Sequence, residues 1–298
     1  MYYSPLRYPG GKNRLSAFIG QLCVDNGIHS HYIEPFAGGG SVALFLLIEG
    51  FVEKITINDK DRSIYALWYS ILNHTDVLCD LIKFCPINVD YWKVQKKIQE
   101  NKNNVGLLEL GYSTLYLNRT NRSGIIKAGV IGGLDQTGNY KMDCRFNKTS
   151  LIDKIKKIAE YKDHISLTNL DVMDLLQQDS IMHESDGLIY FDPPYYQKGS
   201  TLYMNHYKKG DHSILAERIK EISFLNWIVS YDNVDAIRHL YSNLPSSEFS
   251  FKHTAYESRT GKEILFFDKS LKLGKLQTLN PLYYKFDNKS KKIIVINQ

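Results

Sequence analysis

The sequence lacks any long hydrophobic run. Its longest uninterrupted apolar stretch covers residues 42–48, far short of the roughly 20 residues that a membrane-spanning helix needs. Residues 1–7 hold no apolar segment of the kind found in secretion signals. We therefore expect a cytoplasmic protein with no membrane association.

Cysteine is also scarce. The four cysteines are Cys23, Cys79, Cys85 and Cys144, and no two of them form a CxxC pair. This spacing suggests neither a zinc site nor a disulfide framework. We expect isolated, reduced cysteines and no bound metal.

The 298 residues are 43% hydrophobic and 23% charged, which is typical of one large folded domain or one domain with an insert. The net charge of +5 is unevenly distributed. Residues 73–157 contain 14 Lys and Arg against 8 Asp and Glu, a net charge of +6, so the remainder carries −1. Such a segment is typical of a surface that meets a polyanion, or of a solvated, lysine-rich helical face.

The first half of the chain has the pattern of a βαβ unit. Residues 31–34 form a short apolar strand, 35–40 a glycine-rich turn, 41–50 a helix and 54–59 a β-branched strand. This order is typical of a parallel, doubly wound sheet.

The pattern changes after a helix at residues 63–72. Residues 73–157 are mainly helical, with a glycine-rich loop at 119–140, and further strands are predicted at 164–168, 187–191 and 227–230. The C-terminal part predicts antiparallel hairpin strands at 249–251, 263–267 and 292–296. The fold class is therefore α/β, a sheet interrupted by a basic helical insert.

Two motifs carry chemistry. The glycine loop after the first strand lets the backbone approach a ligand at a helix N-terminus, and Asp59 stands where a carboxylate can accept bonds from ribose hydroxyls. Together they favour a nucleoside-bearing cofactor over a simple capped turn. They do not separate a dinucleotide from S-adenosylmethionine, although the loop is not GxGxxG.

The second motif is Asp192-Pro193-Pro194-Tyr195, which follows a predicted strand. Two successive prolines fix the backbone, so Asp192 and the Pro193 carbonyl face one small space beside the Tyr195 ring. Two acceptors and one aromatic face suit a planar amino-purine. A proline turn with a capping Asp is the alternative.

Four motifs in order resemble the D12 class of amino-purine DNA methyltransferases, the DNA adenine methylase (Dam-like) family. They are Tyr8-Pro9-Gly10-Gly11-Lys12, Glu34-Pro35-Phe36-Ala37-Gly38-Gly39-Gly40-Ser41, Leu117-Asn118-Arg119-Thr120 and Asp192-Pro193-Pro194-Tyr195. The resemblance spans roughly residues 5–268.

The resemblance implies a Rossmann-like, S-adenosylmethionine-dependent catalytic domain at residues 1–72 and 158–298, with a target-recognition domain at 73–157. S-Adenosylmethionine would be the cofactor, with Lys12 near its carboxylate and Asp59 at its ribose. Asp171 is the position implied for its adenine. The implied cofactor-binding residues are Tyr8, Pro9, Gly10, Gly11, Lys12, Glu34, Pro35, Phe36, Ala37, Gly38, Gly39, Gly40, Ser41, Asp59, Asp171 and Asp192.

The resemblance also implies methylation of adenine N6 in double-stranded DNA, with the base flipped onto the catalytic motif. Catalysis would rest on Asp192, Pro193, Pro194 and Tyr195. Arg119 is the best candidate for contact with the target sequence, and the implied DNA-binding residues are Arg119, Asn121, Arg122, Lys127, Lys141 and Arg145. Residues 125–146 depart from the pattern of GATC-recognising members, which argues against GATC specificity.

Other functions stay open from the sequence. Cytosine N4 is also an exocyclic amine, and single-stranded RNA also offers unstacked bases. A catalytically silent DNA-binding protein would not require Lys12, Asp59, Asp192 and Tyr195 together, and a NAD-dependent oxidoreductase would leave the proline motif unexplained. The resemblance to bacterial and phage enzymes does not decide whether a restriction endonuclease accompanies the chain, nor its oligomeric state.

Overall fold

The computed structural model describes residues 2–7, 12–182, 186–197, 207–253, 259–274 and 280–296. Its main sheet has the strand order β3-β2-β1-β4-β5-β7-β6. Strands β1 to β5 are parallel to one another, while β7 runs antiparallel to both β5 and β6. The strands are β1 His31–Glu34, β2 Lys54–Asn58, β3 Ile165–Thr168, β4 Gly187–Phe191, β5 Asn226–Asp232, β6 Ser246–His253 and β7 Arg259–Phe267.

Helices cover both faces of this sheet. They are α1 Ser16–Asn26, α2 Ser41–Ile48, α3 Arg62–Asn73, α4 Thr75–Phe84, α5 Val89–Glu100, α6 Leu107–Thr120, α7 Lys148–Ala159, α8 Val172–Leu175, α9 Asp179–Met182, α10 Lys209–Lys220 and α11 Asp235–Leu240. None of the helices in the described ranges is long and apolar enough to cross a bilayer.

The apolar core has one part on each face of the sheet. Successive side chains of a strand point to opposite sides, so Tyr32 joins the cluster with α1, α2 and α3, while Ile33 joins the cluster with α10 and α11. Neighbouring residues of β4 divide in the same way. Burial on both faces is what a parallel sheet requires, and it confirms the predicted α/β class.

Helices α4 to α7 lie between β2 and β3, in the stretch predicted as a helical insert. Gly111 of α6 lies against α3, where an added Cβ would stand 2.4 Å from the carbonyl oxygen of Ala66. Glycine therefore allows the two helices to pack closely. The insert shares its apolar core with the first face of the sheet, and its predicted end at residue 157 falls inside α7.

One local boundary differs from the prediction. The loop expected from residue 119 begins later, because α6 continues to Thr120. The last predicted strand, β9 Lys292–Val295, forms an antiparallel hairpin as expected, with β8 Tyr284–Asp287 and apart from the main sheet. This small sheet packs on α1, with the Phe18 and Tyr284 rings 5.4 Å apart.

Candidate functional site

The carboxyl ends of β1, β2 and β4 meet at one edge of the sheet, where the strand order reverses between β1 and β4. Open α/β sheets bind their ligands at such an edge. Three predicted elements lie here: the glycine loop after β1, Asp59 after β2 and the proline motif after β4. The structure therefore places the predicted cofactor and catalytic motifs side by side.

The glycine loop is held against α3. Gly38 and Gly40 have the left-handed φ angles of 46° and 56°. A Cβ on Gly40 would lie 3.0 Å from the Trp68 ring, and the Trp68 indole N–H donates to the Gly38 carbonyl at 3.0 Å. Glycine is thus required by both conformation and space. The α2 helix begins at Ser41. The other residues of this loop that were predicted to bind the cofactor are Pro35, Phe36, Ala37 and Gly39.

Glu34, the last residue of β1, contacts the start of the helix that follows this loop. It is only 5% exposed, and its Oε1 accepts hydrogen bonds from the Ala43 N–H at 3.0 Å and the Tyr32 hydroxyl at 3.1 Å. Burial raises the pKa of Glu34 to about 8, although these hydrogen bonds oppose the shift. In the structure Glu34 thus caps the first turn of α2, and a contact of Glu34 with the cofactor stays a prediction.

Asp59 is half-buried at the end of β2. Its Oδ2 accepts from the Gly38 N–H at 3.0 Å and its Oδ1 from the Asp61 N–H at 2.8 Å. Burial raises the pKa of Asp59 to about 7, and the nearby Asp61 carboxylate adds to the shift. Each oxygen keeps a second lone pair, so the side chain can still accept bonds from a diol.

Asp171 caps α8, where its Oδ1 accepts from the Met173 N–H at 3.0 Å. Its Oδ2 pairs with the Lys60 ammonium at 2.7 Å. Burial would raise the pKa of Asp171, but these two contacts outweigh it and hold the pKa below its usual value. The Tyr207 ring stands beside this edge, 5.9 Å from the ring of Phe36. If Asp171 contacts the cofactor as predicted, it does so while it is paired with Lys60.

The proline motif begins where β4 ends. The Asp192 side chain is 20% exposed, and its Oδ1 accepts from the Ser230 hydroxyl at 2.7 Å. Pro193, Pro194 and Tyr195 are buried. Asp192 thus keeps one face open at the sheet edge, while Ser230 of β5 fixes its orientation.

A buried ion cluster joins the N-terminal motif to the proline motif. The Lys12 ammonium lies 3.2 Å from Asp192 Oδ1 and 2.5 Å from Glu263 Oε2. The Tyr195 hydroxyl donates to the other oxygen of Glu263. Burial alone would lower the pKa of Lys12, but the two carboxylates raise it well above its usual value. Burial raises the pKa of Glu263, opposed by Lys12.

The Lys12 charge thus faces the catalytic motif in the structure, and its contact with the cofactor carboxylate stays a prediction. The other members of that predicted motif, Tyr8, Pro9, Gly10 and Gly11, lie outside the described residues. Within the described ranges, no group of three or more His, Cys, Asp and Glu side chains could hold a metal ion.

The predicted DNA-binding residues fall into two groups. Arg122, Lys127, Lys141 and Arg145 are exposed on the loop between α6 and α7. That loop is closed at its base by the Arg122 N–H, which donates to the Gly129 carbonyl at 3.0 Å. Exposed cations on such a loop are available to a phosphate backbone.

The other two make hydrogen bonds within the protein, and Asn121 is buried while Arg119 is partly buried. Asn121 is fully buried; its side-chain oxygen accepts from the Trp92 indole at 2.6 Å, and its amide nitrogen donates to the Ile126 carbonyl at 2.9 Å. The prediction that Asn121 contacts DNA does not fit this position, because the side chain organises the loop. The Arg119 guanidinium donates through Nε and Nη2 to the Pro5 carbonyl.

Comparison with known proteins identifies the family. The family model of D12 class N6 adenine-specific DNA methyltransferases matches residues 8–258. The chain belongs to this family. It is also similar to the type II methyltransferase M.MjaIII of Methanocaldococcus jannaschii, with 24% identity over 220 residues that cover 69% of this chain and 73% of the relative.

Membership resolves the alternatives that the sequence left open. The protein is an enzyme, a DNA methyltransferase of the adenine N6 class, rather than a silent binding protein or an oxidoreductase. A seven-stranded sheet with one antiparallel strand next to β5 agrees with a methyltransferase fold.

Three residues of the methyltransferase site were missed in the sequence. Glu263 opens the strand segment 263–267, and no local signal links it to Lys12. Asn58 was placed in a strand, yet its side chain donates to the Pro35 carbonyl at 2.9 Å and accepts from the Leu170 N–H at 2.9 Å, so it ties two site loops together. Ser230 ends the predicted strand 227–230, and no local signal indicates its hydrogen bond to Asp192.

Proposed function

We propose that this enzyme transfers a methyl group from S-adenosylmethionine to N6 of an adenine that has been flipped out of double-stranded DNA. The observation that carries this proposal is the open carboxylate of Asp192 at the sheet edge, beside the glycine loop and Asp59. The type II name of the relative supports a place for this chain in restriction–modification. A companion endonuclease and a cytoplasmic location in its host are part of the same proposal.

The residues present fit the cofactor. The close approach of the backbone at Gly38 and Gly40 leaves room for a ligand without side-chain obstruction, and Asp59 offers acceptors for two ribose hydroxyls. When bound, S-adenosylmethionine supplies a methyl group on a positively charged sulfur.

The chain's own residues act on the adenine amine. Its lone pair is delocalised into the ring, so the amine is a weak nucleophile. Asp192 and the carbonyl of Pro193 would accept hydrogen bonds from its two N–H groups and favour the pyramidal form, in which the lone pair is free to attack the methyl carbon as the bond from that carbon to sulfur breaks. The proton that N6 loses on transfer would leave to solvent. Tyr195 would stack on the base; since it is 6% exposed, the base can reach the ring only if neighbouring groups move.

Flipping the base costs a few kcal/mol of lost stacking and pairing. The exposed cations Arg122, Lys127, Lys141 and Arg145 are suited to recover part of this cost through phosphate contacts. Asn121 is left out of the proposed contact set because it is buried.

The test is incubation with S-adenosylmethionine and unmethylated genomic DNA, followed by modification-sensitive sequencing. We expect N6-methyladenine at one short motif. Asp192→Ala should abolish transfer and leave cofactor affinity nearly unchanged, while Asp163→Ala, an exposed acid before β3, should behave as the wild type. Normal turnover by Asp192→Ala would overturn the mechanism.

A further inference from the structure

The N-terminal segment at residues 2–7 lies across the helical insert. Asn118 of α6 clasps the backbone of Arg7, accepting from its N–H and donating to its carbonyl, both at 2.8 Å. Arg119 Nε donates to the Pro5 carbonyl at 2.8 Å. Lys154 of α7 donates to the Ser4 carbonyl at 3.3 Å. These contacts fix the segment that leads into the predicted cofactor motif.

Four cations gather where the segment crosses these helices: Arg7, Arg119, Arg145 and Lys154. Burial lowers the pKa of Arg7, and the nearby charge of Arg145 adds to the shift. Burial also lowers the pKa of Arg119 to about 10, with Arg7 and Arg145 acting in the same direction. The pKa of Lys154 falls through burial and the charge of Arg119. Arg7, Arg119 and Arg145 therefore lie close enough to repel one another, and Lys154 lies close enough to repel Arg119.

No acid compensates this cluster within the described residues. The ion pairs there include none of the four cations. Arg7 Nη1 is buried and has no hydrogen-bond partner in the described chain. Arg119 and Lys154 have carbonyl partners, and the Lys154 ammonium lies 4.5 Å from the centre of the Tyr2 ring, but none of these contacts neutralises a charge. Partly buried charges without an opposite charge are costly, so an anionic ligand would relieve both the repulsion and the unpaired Arg7 donor.

We propose that Arg7, Arg119, Arg145 and Lys154 form one site for a backbone phosphate of the DNA substrate, an inference that rests on the proposed function. Three of the four side chains belong to the basic insert, and Arg145 is exposed. The site assigns Arg7 and Lys154, which the sequence did not single out, to DNA binding.

In this proposal Arg119 contacts a phosphate. In the structure Nε and Nη2 both donate to the Pro5 carbonyl, so one edge of the guanidinium is occupied. The guanidinium carries five N–H donors, and its Nη1–Nη2 edge remains for a phosphate, which arginine binds well. A phosphate contact, unlike a base contact, supports binding equally at every sequence.

The test compares Arg145→Gln, Lys154→Gln and the double variant with the wild type. Lys156→Gln is the matched control, because Lys156 is an exposed cation on the same helix, near Cys79 of α4. The dissociation constants are measured, from 50 to 200 mM salt, for an unmethylated duplex that contains the target motif of the enzyme and for a duplex that lacks this motif. The dissociation constant for S-adenosylmethionine is measured in parallel.

We expect the double variant to bind both duplexes more weakly by the same factor. The slope of log affinity against log salt should fall by about 0.9, the value for one lost phosphate contact, while cofactor affinity and the control stay unchanged. A double variant that matches Lys156→Gln would overturn the site. Loss of cofactor affinity alone would assign the cluster to the cofactor's carboxylate instead.

The wild type separates this proposal from the function itself. If it methylates DNA while the variants match the control, only the phosphate site fails. If it neither methylates nor binds DNA, both proposals fail.

Discussion

Replacing Glu263 with alanine should damage both stability and turnover. The carboxylate is 1% exposed and holds the Lys12 ammonium at 2.5 Å and the Tyr195 hydroxyl. Removing one partner of a buried ion pair costs about 3–5 kcal/mol. We expect the lower end, about 3 kcal/mol, because Lys12 keeps Asp192 at 3.2 Å.

This free energy converts into a melting temperature. The unfolding entropy is about 2.1 cal/mol/K per residue, so for 298 residues a loss of about 3 kcal/mol lowers Tm by about 5 °C. Glu263→Gln keeps an acceptor and loses only the charge, so its Tm should fall less. Both variants should transfer methyl groups at least about tenfold more slowly, which corresponds to about 1.4 kcal/mol in the barrier, since a Glu263 carboxylate no longer shares the Lys12 charge with Asp192.

Circular dichroism melting and transfer of labelled methyl groups to duplex DNA measure the two effects. Glu248→Gln on the neighbouring strand is the control, because its pair with Arg238 at 2.6 Å is exposed and such pairs contribute little. If Glu263→Ala melts and turns over like Glu248→Gln, the ion cluster does not hold the site.

Two further predictions concern the loop after β1. Burial raises the pKa of Glu34 from 4.5 to about 8. The protonated side chain therefore contributes its full stability below pH 4.5, and this stability is lost as the pH rises to about 8. In urea unfolding at several pH values, Glu34→Gln should lose less stability over this range than the wild type, and an equally steep loss in the variant contradicts the argument. Gly40→Ala and Gly50→Ala both place a side chain at positive φ, at about 1–2 kcal/mol. Only Gly40→Ala also meets the indole ring, so it alone should weaken binding of S-adenosylmethionine; equal cofactor affinities would refute the steric argument.

Much of the sheet could be predicted from local patterns. The strands at 31–34 and 187–191 agree with β1 and β4 residue for residue, because a parallel strand buried on both faces has a short apolar run that ends at a turn residue. The glycine loop and the proline motif were recognisable for a similar reason. Their backbone requirements restrict the residue types that can stand there.

The contacts between distant elements could not be predicted. The buried position of Asn121 depends on Trp92 of α5, and the occupied edge of Arg119 depends on Pro5. Both residues are polar and follow a helical pattern, so composition alone favours exposure to a ligand. Their actual partners come from packing between helices, which periodicity does not encode.

The separation along the chain between Lys12 and Glu263 has a consequence for biosynthesis. These two residues meet across 251 positions, and Glu263 takes its place only when β7 pairs with β5, at the register of Asp232 with Glu263. Contacts of such long range form late and slowly in folding. A nascent chain that has not yet released β7 from the ribosome therefore lacks the anchor for Tyr195, and the enzyme stays inactive until almost the whole described chain has been synthesised.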